Sequence, residues 1–119
     1  MKKTLVIGAS DKPERYSNKA VKLLLENNYE VIAVGNKETE IYGIKIQKGY
    51  PKINDIDTIT LYISESNQSQ LFDYIKEVKP KRIIFNPGTE NDELYDYAES
   101  LGIETIYACT LVMLNTNQY

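Results

Sequence analysis

Apolar positions fall into short continuous runs that alternate with segments of helical period. The first run, Leu5-Val6-Ile7, stops abruptly at Gly8-Ala9-Ser10, the pattern of a buried strand entering a tight turn. Over residues 18–27, Ala20, Val21, Leu24 and Leu25 recur at helical spacing, while Lys19, Lys22 and Glu26 face the other way. Ser17 or Asn18 is the expected N-cap of that helix and Asn27-Asn28 its stop. Residues 30–34 predict a second buried strand, ending at Gly35-Asn36-Lys37. Residues 38–55 are the least regular. Positions 41–46 alternate in a strand-like way, and no full crossover helix is expected there. Residues 57–63 are rich in β-branched side chains and predict a third strand.

Ser66 or Asn67 is expected to cap a helix running to Val78, with Leu71, Phe72, Ile75 and Val78 on one face and Pro80 just past its end. A fourth strand over 82–85 ends at Asn86-Pro87-Gly88. Asn91 then opens a helix whose first turn carries Asp92 and Glu93, where the helix dipole favours acids. Gly102 stops it, residues 104–108 predict a fifth strand, and 110–114 a short closing helix.

Such alternation predicts an α/β fold: a doubly wound parallel sheet of five main strands with helices on both faces. The simplest order with right-handed crossovers is 3-2-1-4-5, with its switch point between strands one and four. Ligands of such sheets bind outside the carboxyl ends of the strands. The loops arriving there carry Gly8 to Ser17, Gly35 to Lys37, Ile63 to Ser66, Asn86 to Glu90, and Cys109.

Composition removes many kinds of chemistry. At 119 residues the chain predicts a single domain, and its net charge of −3 argues against a nucleic-acid surface. No run nears the ~18 apolar residues of a membrane span, and the N-terminus lacks a signal-peptide pattern, so a cytoplasmic protein without membrane contact is expected. One cysteine excludes an internal disulfide framework and a multi-thiolate metal site. The absence of histidine removes Ser-His and Cys-His catalysis and histidine metal ligation.

A strand, a turn of small residues (Gly8, Ala9, Ser10) and a helix N-terminus together make an anion site. Lys12 and Arg15 lie in the same loop and add a phosphate clamp, Arg15 as a bidentate fork. The turn is not a G-x-G-x-x-G fingerprint, because Ser10 and Pro13 occupy the second and third glycine positions. NAD-binding folds end the second strand on an acid, whereas here that place holds Gly35-Asn36-Lys37. Lysine there favours an added ribose phosphate, as on coenzyme A (3′) or NADP (2′). Pro87 directs the fourth-strand loop and Gly88 loosens its backbone. Cys109, at the end of the last strand, either packs in the core or faces a ligand thiol.

Val6-Ile7-Gly8-Ala9-Ser10, the continuation Pro13-x-Arg15-Tyr16-Ser17, and Val31 to Val34 leading to Asn36-Lys37 together resemble the small stand-alone CoA-binding domain family. So do Glu40-Ile41-x-Gly43, Asn86-Pro87-Gly88-Thr89-Glu90 and Cys109. These are Rossmann-like relatives of the N-terminal domain of the succinyl-CoA synthetase α subunit. The resemblance spans essentially the whole chain. It implies binding of coenzyme A or an acyl-CoA without assigned catalysis, in a crevice that also takes in Lys12, Tyr16 and Ser17. By carry-over, Gly8, Ala9, Ser10 and Arg15 hold the pyrophosphate and Lys37 the 3′-phosphate. Gly35 and Asn36 flank the adenosine, and Ile63, Ser64, Asn86, Pro87 and Gly88 follow the pantetheine arm. Relatives read Val-Asn-Pro-Lys where this chain has Val34-Gly35-Asn36-Lys37, so the rigid proline is missing. The ligase's phosphohistidine chemistry is impossible without histidine.

The expectation is thus a non-catalytic CoA-binding module, with thiol-status sensing through Cys109 as an added feature. The competing readings are the NADP-binding domain of a reductase and a regulatory or protein-interaction domain with an empty crevice. Any protein partner, a second copy of the chain included, is left open.

Overall fold

The computed structural model describes residues 2–119. The first apolar run forms β1 (Lys3–Ala9), and α1 (Tyr16–Glu26) follows the polar turn. Asn27 ends α1, and Asn28 takes the left-handed conformation (φ 65°) that Asn tolerates there. β2 (Glu30–Gly35) returns beside β1 in parallel register, Leu5 opposite Ile32 and Val6 opposite Ala33.

The irregular stretch holds a hairpin, β3 (Thr39–Ile41) and β4 (Ile44–Gln47), with β4 parallel to β2 and β3 as an antiparallel edge. β5 (Thr58–Leu61) then pairs with β1 on its other side. After a 3-10 turn at Glu65–Asn67 come α2 (Leu71–Val78), β6 (Arg82–Phe85), α3 (Asp92–Ser100), β7 (Glu104–Tyr107) and α4 (Thr110–Asn115). The described residues form one sheet in the order β3-β4-β2-β1-β5-β6-β7.

That order corrects the expected one. The place beyond β2 belongs to β4, and residues 58–61 sit against β1. The cause is a three-residue β3 that lets the chain recross without a helix, and 44–47 is too short and too polar to read as a parallel strand. The six parallel strands therefore run 3-2-1-4-5-6, and the switch point lies between β1 and β5. Two helix starts also differ. Arg15 stands at the N-cap of α1, so Ser17 and Asn18 are buried in its first turn. The helix expected from Ser66 or Asn67 begins at Leu71 instead.

Both faces of the sheet are covered. Leu5, Ile7, Ile59, Leu61, Ile83 and Phe85 point to α2 and α3, meeting Leu71, Ile75, Leu94 and Ala98. The alternate positions Val6, Ala33, Ile46 and Ile84 point to α1 and α4, meeting Val21, Leu24, Met113 and Leu114. Fully burying each of the larger side chains contributes about 1.5–3 kcal/mol, so these two layers fix the strand ends in place. At the amino ends of the strands, the Tyr119 ring packs edge-on to Tyr29 and lies under the Arg82 guanidinium, 4.6 Å from its centroid. Among the described residues no helix is long and apolar enough to cross a membrane.

Candidate functional site

The carboxyl ends of β1, β2 and β5 open into a crevice of about 640 Å³, well within the roughly 300–1,000 Å³ typical of small-molecule sites. Its floor is Gly8, with φ +94°. A β-carbon there would lie 2.8 Å from the Tyr62 carbonyl carbon and oxygen and 2.9 Å from Ile63 Cγ2. Only glycine permits both that conformation and that approach.

Beyond Ala9 the chain turns tightly. The Lys12 amide donates to Ser10 Oγ at 3.1 Å, and the Arg15 amide to the Lys12 carbonyl at 3.1 Å. Asn18 pins this turn: its Nδ2 donates to the Ser10 carbonyl at 2.9 Å, and its Oδ1 accepts from the Tyr42 hydroxyl of the β3–β4 hairpin. The N-terminus of α1 meets the crevice with no side-chain cap and no acid in its first turn. α3 is the contrast. There Asn91 Oδ1 accepts from the Leu94 amide at 3.1 Å, and Asp92 and Glu93 fill the first turn. The dipole of α3 is answered from within the chain, whereas neither a side-chain cap nor a first-turn acid answers that of α1.

The opposite wall comprises Ile63, Ser64, Asn67 and the loop Pro87-Gly88-Thr89. A buried polar network holds it. Gln68 Nε2 donates to the Ile63 carbonyl at 2.9 Å and the Thr89 carbonyl at 2.8 Å, while its Oε1 accepts from Asn91 Nδ2 at 3.0 Å. Asn86 Nδ2 donates to Thr60 Oγ1 at 2.7 Å and the Leu61 carbonyl at 2.9 Å, and its Oδ1 accepts from the Thr110 amide at 2.8 Å.

At the end of β2, Lys37 Nζ lies 3.0 Å from Asp11 Oδ2, so an ion pair joins the β1 and β2 loops at the crevice rim. The Lys37 ammonium holds the Asp11 carboxyl below the usual carboxylate range.

Of the residues expected at the site, all but Gly35, Asn86 and Cys109 line this crevice. Gly35 lines an adjoining crevice of about 460 Å³ that shares Gly8, Asn36, Ile63 and Asn67 with the first. It also packs on β1, where a β-carbon would sit 2.3 Å from the Ala9 carbonyl oxygen. Asn86 is buried beneath the wall and braces it. Cys109 is half-buried at the N-cap of α4, outside both linings.

Asp11 and Thr89, within loops expected at the crevice but not singled out as site residues, also line it, as do Thr39, Ile46, Tyr62 and Asn67, which sequence reasoning did not place there. Thr39 and Ile46 needed the hairpin. Tyr62 could have been found, since period-two alternation from Thr58 and Thr60 puts it on their face of the strand. Its hydroxyl is buried without a hydrogen-bond partner, and burial pushes it up to about 12.

Comparison with known proteins gives the same fold and a family. The model of a family described as CoA binding domain matches residues 2–115. No curated protein matches the chain. The crystal structure of an uncharacterized protein is 45% identical, with 100% of this chain and 98% of that one covered, at a TM-score of 0.97. A hypothetical protein from Pyrococcus horikoshii OT3 is 28% identical, covering 97% of this chain and 82% of its own, at a TM-score of 0.80. The dinucleotide-forming acetyl-coenzyme A synthetase 1 of Ca. Korarchaeum cryptofilum matches 90% of this chain with 25% of its own, at 19% identity and a TM-score of 0.72. That last likeness concerns the fold alone.

Proposed function

The chain belongs to the CoA binding domain family, and from that premise we propose that it binds coenzyme A or an acyl-CoA reversibly, without catalysing a reaction on it. The observation that carries this reading is the open N-terminus of α1. Its uncapped first turn, Gly8-Ala9-Ser10 and the cations Lys12 and Arg15 line one side of the crevice. Backbone amides, a helix dipole and two unpaired cations suit a pyrophosphate. Lys37, across the rim, suits the phosphate on the adenosine ribose. The wall at Ile63, Ser64 and Pro87 to Thr89 offers the pantetheine arm apolar surface with a few polar groups.

A non-catalytic role is supported by what lines the crevice. The chain has no histidine, and Asp11 is the one carboxylate among the described lining residues and is already paired. An acid–base pair for turnover needs more than that. Thiol sensing through Cys109 would require the pantetheine sulfur to reach a half-buried residue outside the lining. Binding is therefore read as non-covalent.

The test is calorimetric titration of the purified protein with CoA, acetyl-CoA, NADP and NAD, beside native mass spectrometry. Saturable binding of CoA or acetyl-CoA in preference to NADP supports the reading. Preference for NADP would transfer the crevice to the reductase alternative, and no binding of any would leave the regulatory one.

A further inference from the structure

Three cations line the crevice, Lys12, Arg15 and Lys37, and among the described residues only Lys37 is in an ion pair. Its partner, Asp11, is also the one carboxylate of the lining, and it stands on the opposite loop. The one acid of the lining thus pairs with the cation at the end of β2, and among the described residues the two beside the open helix N-terminus are left without an ion pair.

From this arrangement we infer that Asp11 is a specificity-determining residue: by holding Lys37 it weakens the discrimination between ligands with and without a phosphate on the adenosine ribose. The inference rests on the CoA reading proposed above and concerns the selectivity of that same site. A ribose phosphate that engages Lys37 must share its ammonium with Asp11, and it then lies close to a carboxylate of like charge. A ligand lacking that phosphate leaves the pair intact and loses nothing. The lowered proton affinity of Asp11 agrees with a carboxylate that stays charged through the neutral range. Both side chains reach solvent, Lys37 with 72% and Asp11 with 33% of its surface exposed. Screening therefore keeps the effect small, and about three- to fivefold is the scale expected of an exposed pair.

The experiment measures Kd for CoA and for dephospho-CoA in the wild type, Asp11→Asn, Lys37→Ala and the double variant, with thermal melts to establish folding. The ratio of dephospho-CoA to CoA Kd should rise about three- to fivefold in Asp11→Asn. In the Lys37→Ala background the same change should leave the ratio flat. An unchanged ratio in Asp11→Asn would overturn the inference while leaving the CoA reading standing. A fallen ratio would do the same, because it would make Asp11 a residue that orients Lys37 toward the phosphate. A full gain in the Lys37→Ala background would overturn action through Lys37. Wild-type protein that binds neither ligand overturns the CoA reading, and the inference with it.

Discussion

The Gly8 backbone runs so close to Tyr62 that a β-carbon on it would lie 2.8 Å from the Tyr62 carbonyl. Gly8→Ala must therefore move the β5 exit as well as adopt φ +94°, and strain alone costs about 1–3 kcal/mol. A lowered urea midpoint together with lost CoA binding is expected, since the same shift opens the floor of the crevice.

Arg15 stands at the uncapped start of α1 and is free of ion pairs among the described residues. Arg15→Ala should weaken CoA about ten- to hundredfold, the scale of one charge-assisted phosphate contact of about 1.5–3 kcal/mol. Calorimetry should show this with an unchanged melting temperature. A loss of stability without a loss of affinity would remove Arg15 from the phosphate site.

Lys37→Ala separates the two phosphate positions. It should weaken CoA about threefold or more while leaving dephospho-CoA nearly unaffected. Equal losses for both ligands would detach Lys37 from the ribose phosphate.

Asn86→Ala strips partners from the Leu61 carbonyl and the Thr110 amide, both beneath the crevice wall. Each orphaned buried group costs about 1–3 kcal/mol, so a loss of about 2–6 kcal/mol is expected by chemical denaturation. Asn86 does not line the crevice, and any affinity lost should scale with that destabilisation.

Tyr62 and Tyr74 are each pushed up to about 12, chiefly by burial. A phenol whose folded pKa is raised contributes stability that is intact below its unfolded value, near 10, and is lost as pH climbs toward 12. Urea midpoints should thus fall between about pH 10 and 12. Tyr62→Phe should make that fall shallower. An equally steep fall in the variant would mean that Tyr62 ionises freely in the folded state.

The fold was legible where one signal decided it. Leu5 to Ile7, the helical spacing of Ala20 to Leu25, and the Asn91 cap each fixed an element from local pattern. Strand order was not local. Residues 44–47 read as alternating Ile and polar side chains, and only their pairing with Ala33 and Val34 makes them a parallel strand. Their place beside β2 moved the switch point to Leu61 and brought Tyr62 into the crevice. Most of the site was readable because glycines, cations and strand ends mark it. Asn86, expected along the pantetheine arm, braces the wall from beneath, and sequence does not separate the two places because a buried bracket and a ligand contact use the same amide groups. The Asp11–Lys37 pair joins loops 26 residues apart, a proximity that follows only from the sheet.

The unlike fastening of the two crevice walls has a kinetic consequence. The wall at Pro87 to Thr89 is braced by Gln68 and Asn86 before any ligand arrives, so little ordering entropy remains to be lost there. Residues 12–15 are exposed and lack the buried side-chain brackets of the other wall, so more of the ordering on that side is left to a bound ligand. Changes to the cations on that loop should therefore appear mainly as altered residence time, while the braced wall acts as a fixed template that sets which arm fits.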